Sequence, residues 1–108
     1  MFARVVEIKT KPGKAKEVCH TVHEKIFSLL KKQPGFVDEL VLVSDKEGIL
    51  AMSLWKTRED AEAYNRSHYG EVHRMIEHLV HDHLKVHTYD VETSTLHGIV
   101  KGEAVPVG

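Results

Sequence analysis

Residues 36–56 read F-V-D-E-L-V-L-V-S-D-K-E-G-I-L-A-M-S-L-W-K. Two apolar runs, 36–44 and 49–56, flank the polar turn Asp45-Lys46-Glu47-Gly48. β-branched and aromatic residues separated by a glycine-ended turn read as an antiparallel hairpin. The runs L-V-L-V and I-L-A-M-S-L-W do not alternate with polar residues. A sheet with one solvated face alternates, so this hairpin is expected to be covered on both faces.

The rest of the chain supplies one cover. Residues 2–9, F-A-R-V-V-E-I-K, read as a strand, and Lys11-Pro12-Gly13 turns it into a helix over 14–32. Ala15, Val18, Val22, Ile26, Leu29 and Leu30 make one helical stripe there. Cys19 lies on that stripe and reads as a small core hydrophobe. Pro34-Gly35 stops the helix. After the hairpin, Thr57 and Asp60 read as a capping box opening a short helix over 58–66, with Ala61 and Tyr64 inward. A second segment over 70–81 carries the stripe Tyr69, Val72, Met75, Ile76, Leu79 and Val80. Residues 85–93 read as a last strand, with His87 and Tyr89 on one face.

The order is β-α-β-β-α-β. Four antiparallel strands with helices on one face make a ferredoxin-like α+β fold. It occupies residues 1–94. Residues 95–108 form a C-terminal tail, with a short strand near Leu96–Val100, that can extend the sheet or act as a dimer arm. Two helical regions cover one sheet face only. A second copy of the same sheet is the expected cover for the other, so the protein is expected to be a homodimer.

The chain has 108 residues, enough for one domain with a modest core. Lys+Arg 15 against Asp+Glu 16 leaves no cationic footprint for nucleic acid. One cysteine, no long apolar run and no signal-peptide organisation at the N-terminus point to a cytoplasmic protein with no membrane span.

Chemistry is expected between Trp55 and His83, where the histidines concentrate. Relative to the Val72–Ile76–Leu79 stripe, His68 lies about 60° and His73 about 80° from centre, at its edge. His78 and His81 lie roughly 140–160° away and face water. His68 and His73 are therefore the candidate proton acceptors, although a helix-edge histidine bonded to a carbonyl gives the same pattern. Trp55 and Tyr64 can form aromatic walls or simply fill the core. His87 and Tyr89 can contact a ligand or line a dimer face. His73, Glu77 and His81, spaced i, i+4, i+8, align three potential metal ligands. A solvated helix face explains them equally, and no metal site is expected.

The pattern K-P-G-K-A-K-E at the first helix, P-G-F after it, and W-K-T-R-E-D-A-E-A-Y-x-x-S-H resembles the antibiotic biosynthesis monooxygenase domain of the dimeric α+β barrel superfamily. The resemblance covers roughly residues 2–93. It implies a pocket between sheet and helices and oxidation of a small phenolic or quinol-like aromatic by oxygen without a cofactor. Tyr64, His68 and His73 would then be catalytic, and Trp55, Tyr69, His87 and Tyr89 would bind substrate. The haem-degrading members carry an asparagine in strand one and a tryptophan in helix two. Val6 and Tyr64 stand at those positions, so haem degradation is not implied. Many members have a histidine where this chain has Tyr64, and a serine-proline-histidine where it has Ser67-His68. That departure keeps a second reading alongside, a non-catalytic dimer that binds a small aromatic ligand.

Overall fold

The β-branched runs pair into one antiparallel sheet in the computed structural model, which describes residues 1–100. The elements are β1 (Phe2–Lys9), α1 (Ala15–Thr21), a π-helical turn (Val22–Ile26), α2 (Phe27–Lys31), β2 (Phe36–Val43) and β3 (Gly48–Trp55). They continue with α3 (Arg58–Ser67), α4 (Tyr69–Ile76), a 3-10 turn (Glu77–Leu79), β4 (Lys85–Asp90), β5 (Thr93–Ser94) and β6 (Ile99–Val100). The main sheet has the order β2-β3-β1-β4 with every neighbour antiparallel, the ferredoxin-like arrangement. No helix among the described residues is long and apolar enough to cross a membrane.

The helices cover the face bearing Phe2, Val6, Ile8, Ile49 and Trp55, and these residues form the core with Val18, Val22, Ile26 and Leu30. The expected single helix over 14–32 is interrupted by the π-helical turn. Val18, Val22, Ile26 and Leu30 recur at a strict interval of four. At 100° per residue such a row drifts about 40° per step, and a wider i→i+5 turn returns it to the sheet. Thr57 caps α3, its Oγ1 accepting from the Asp60 backbone N–H at 3.1 Å. α4 ends at Ile76, earlier than the periodicity over 70–81 suggests. The reason is competition from β1: Lys11 N–H donates to the Leu79 carbonyl (2.8 Å) and His81 N–H to the Lys9 carbonyl (2.7 Å). These bonds pull residues 79–81 out of the helix and against the end of the strand.

A β-bulge between Phe36 and Asp38 decides which side chains of β2 point inward. Four residues from Phe36 to Glu39 oppose three from Trp55 to Ser53, so the parity inverts. Glu39 and Val41 thereby turn to the helices, and Leu40 and Leu42 to the outer face.

That outer face remains apolar. Leu40, Leu42 (48% exposed), Leu50 and Tyr89 lie open on it. The tail covers one end. β5 and β6 form a small hairpin of their own and do not extend the main sheet. The hairpin leaves a space of about 730 Å³ against Ala3, Val5, Leu40, Met52, Leu54 and Tyr89. His97 Nε2 approaches Asp38 Oδ2 at 3.9 Å. Leu96 points outward at its tip, 81% exposed. The remainder of the tail, 101–108, lies outside the described residues.

Candidate functional site

Strand alternation places Arg4 between Phe2 and Val6 on the covered face, where it is 4% exposed. A buried cation on an apolar strand needs partners. Arg4 Nη2 donates to Asn65 Oδ1 of α3 at 3.0 Å. The guanidinium carbon lies 4.5 Å from the Tyr69 ring centroid and 5.4 Å from that of Tyr64. Both are cation–π distances. Among the described residues no carboxylate forms an ion pair with Arg4.

Arg4 borders a small, partly open cavity of about 40 Å³ between the sheet and the helices. Its other polar lining comes from Glu39, Ser53, Tyr64 and Tyr69. Apolar side chains, including Val22 and Ile26 of the π-helical turn, close the remainder. Two buried oxygens, Glu39 Oε2 and Tyr69 Oη, have no hydrogen-bond partner. Burial pushes the Glu39 carboxyl up to about 8; the Arg4 charge opposes the rise and the Asp38 charge adds to it. Burial likewise raises both Tyr64 and Tyr69, against the pull of Arg4. At neutral pH, Glu39 and both tyrosines are therefore neutral and Arg4 carries the charge.

Glu39 also borders a groove of about 260 Å³, which runs between the first helical region and β2 past Cys19, His23, Phe27 and Val41. Glu39 and Val22 separate this groove from the inner cavity. Cys19, expected in the core, packs against it and is also part of the groove wall.

The expected site residues divide three ways. Tyr64 and Tyr69 line the cavity, their ring centroids 6.4 Å apart at 65°. Trp55 stands behind them, fully buried, stacked on Tyr64 at 5.0 Å and 27°. Its Nε1–H donates to Ser53 Oγ at 2.9 Å. It supports the aromatic wall and does not line the cavity. His68 and His73 sit outside the cavity lining, with side chains 38% and 41% exposed. Their nearest carboxylates are Glu71 (3.9 Å) and Glu77 (3.6 Å). The break between α3 and α4 at His68 turns its ring along the surface, and Tyr69 stands at 6.4 Å from the His73 ring. Helical phase alone puts both histidines at a pocket-facing edge, whereas Tyr69 and Arg4 occupy that position.

His87 and Tyr89 lie on the outer face of the sheet. His87 Nε2 is 3.1 Å from Glu7 Oε2, and Tyr89 borders the space under the C-terminal hairpin. The i, i+4, i+8 row of His73, Glu77 and His81 is broken because the helix stops at Ile76. Among the described residues no three His, Cys, Asp or Glu side chains converge as a metal site.

Sequence reasoning passed over Arg4 and Glu39. Arg4 was legible as a charge at an inward position of an apolar strand. Glu39 was not, because unbroken alternation from Phe36 turns it outward.

A ferredoxin-like sheet with a polar centre beneath one layer of helices defines a small α+β domain with an interior cavity. The chain belongs to the antibiotic biosynthesis monooxygenase family, whose model matches residues 1–78. Its fold is similar to a monooxygenase from the ActVA-Orf6 gene of Streptomyces coelicolor, solved in complex with nanaomycin D. The two are 15% identical, with a TM-score of 0.73 over 86% of this chain and 88% of that one. It is also similar to SnoaB, a cofactor-independent oxygenase of Streptomyces nogalater, at 14% identity and a TM-score of 0.71 over 87% of this chain and 95% of that one. A conserved protein of Methanosarcina mazei Go1 matches at 22% identity and a TM-score of 0.67, over 82% of this chain and 91% of that one. No curated protein matches the sequence.

Proposed function

We propose that the protein is a cofactor-independent monooxygenase of a small phenolic or quinol-like aromatic, working as a homodimer. The observation that carries this is the buried Arg4 beside Glu39 Oε2 and Tyr69 Oη, two unpartnered polar atoms in an otherwise apolar enclosure. Buried polar atoms are normally satisfied, and exceptions cluster where a ligand completes them. The likeness to two oxygenases of the same fold supports the reaction class.

Such a reaction needs an electron-rich carbon made nucleophilic by loss of a phenolic or enolic proton. The carbon attacks oxygen, and the resulting hydroperoxide loses water to leave a carbonyl. For an anthrone this consumes one O₂ and yields one quinone and one water. Arg4 would hold the oxyanion, and fixed charge in a dry site is worth more than in water. Glu39 in its ionised form would accept the proton; a base with a pKa of about 8 suits a phenol at physiological pH. Tyr64 and Tyr69, backed by Trp55, would take the ring.

The 40 Å³ cavity admits about one water, far below the roughly 300–1,000 Å³ of small-molecule sites. A ring therefore has to widen it, and the groove past Phe27 offers an entry if the Glu39 and Val22 side chains are displaced. The π-helical turn on that wall is the element suited to give way, since such turns are less regularly bonded than α-helix.

The outer face supports the dimer. Leu40, Leu42, Leu50 and Tyr89 expose more apolar surface than a monomeric sheet ordinarily leaves in water. A second copy packed face to face would cover them.

Oxygen consumption with chelator-treated protein tests the activity. With a panel of anthrones, naphthols and hydroquinones, the expected result is one O₂ per quinone formed for at least one compound. No uptake above buffer for any of them refutes the oxygenase reading.

A further inference from the structure

Arg4 is the one buried cation facing the cavity among the described residues, and the groups around it are donors or neutral. The Tyr69 hydroxyl and Glu39 Oε2 are unpartnered, and no carboxylate neutralises the guanidinium as an ion pair. We propose that this site takes its ligand as an oxyanion, the charge resting on the ligand beside Arg4 while Glu39 stays protonated, so that its preferred ligands are acidic phenols and enols. This rests on the proposed aromatic site but not on the oxygen chemistry.

The charge count supports it. An enclosed apolar space tolerates one cation–anion pair far better than two anions beside one cation. The negative charge beside Arg4 can sit on Glu39 or on the ligand, and one proton decides between them. A neutral phenol could still give its proton to ionised Glu39, with the same total charge. A ligand that arrives as an anion needs Glu39 to hold its proton. The titratable and charged groups facing Glu39 are Arg4 from β1, Asp38 beside it on β2, Tyr64 from α3, Tyr69 from α4, and Cys19 and His23 across the groove. Ser53, its register partner on β3, carries no charge. Arg4 and the burial itself set the balance, so anion binding is expected to weaken above about pH 8, when Glu39 ionises.

The probe is 4-nitrophenol, whose anion is yellow and whose neutral form is not. At about pH 6 most of it is neutral in solution. Adding the protein at that pH should develop the yellow anion, shown by difference absorbance. Glu39→Gln, which mimics the protonated side chain, should keep the yellow complex. Between about pH 8 and pH 9 the wild type should lose affinity for the anion, approaching tenfold per pH unit at the upper end, whereas Glu39→Gln should not. Arg4→Met should abolish the colour, and Arg4→Lys, which keeps a charge, should retain part of it if Arg4→Met is unfolded by circular dichroism. A colourless complex at pH 6, no binding, loss of binding in Glu39→Gln, or parallel pH curves for wild type and Glu39→Gln would each overturn the inference. A yellow complex that consumes no oxygen with any substrate would overturn only the oxygenase reading. Oxygen turnover with colourless binding would overturn only this one.

Discussion

Replacing Glu39 by glutamine removes a buried titration and leaves the side-chain shape nearly unchanged. The native carboxyl is pushed to about 8 by burial, from an ordinary value of 4.5. The native state thus holds a proton that the unfolded chain has released. Stability from this group is fully present below pH 4.5 and is lost as pH rises through the folded value near 8. Integrated between pH 6 and pH 9, that single proton removes about 2.5 kcal/mol from the wild type. The glutamine variant does not titrate at this position. The stability difference, variant minus wild type, should therefore grow by about 2.5 kcal/mol across that range. Urea melts at fixed protein concentration read it directly. With a urea dependence of about 1–3 kcal/mol per molar, the midpoint gap should widen by roughly 0.8–2.5 M. A gap that stays constant from pH 6 to pH 9 would refute a protonated, buried Glu39 and the charge balance built on it.

Trp55→Ala should cost about 3–5 kcal/mol, because it empties a fully buried site and removes the support of the Tyr64 ring; a thermal or urea melt measures this. Leu42→Lys, placing a charge on the exposed apolar outer face, should turn the proposed dimer into a folded monomer by light scattering with unchanged circular dichroism. The pair His68→Ala, His73→Ala should hold kcat/KM within about threefold of wild type, since neither ring lines the cavity; a loss above about a hundredfold would return the proton transfer to a histidine.

Periodicity carried most of the fold. The two-faced apolar hairpin, the stripe from Ala15 to Leu30 and the Thr57 cap each follow from local chemistry, and each appears where it was expected. The site was only half legible. Tyr64 and Tyr69 followed from helical phase. Glu39 did not, because a single bulge residue after Phe36 inverts the parity of β2, and no spacing in F-V-D-E-L announces it. The histidines misled for the opposite reason. Ideal helical angles assume one straight helix, whereas the chain breaks at His68 and leaves the helix at Ile76 for contacts with β1. Their abundance reflects a solvated face, and two of the polar groups placed inside, Arg4 and Glu39, came from the strands.

The central claim is that an aromatic oxyanion sits between the helices and the sheet, against Arg4. The most direct measurement is a crystal structure grown without oxygen in the presence of 4-nitrophenol. The expected result is the ring against Tyr64 and Tyr69, its oxygen within hydrogen-bond distance of the Arg4 guanidinium, and the Val22–Ile26 turn moved away from β2. A ring bound only on the outer face under the C-terminal hairpin, with the interior unchanged, would contradict it.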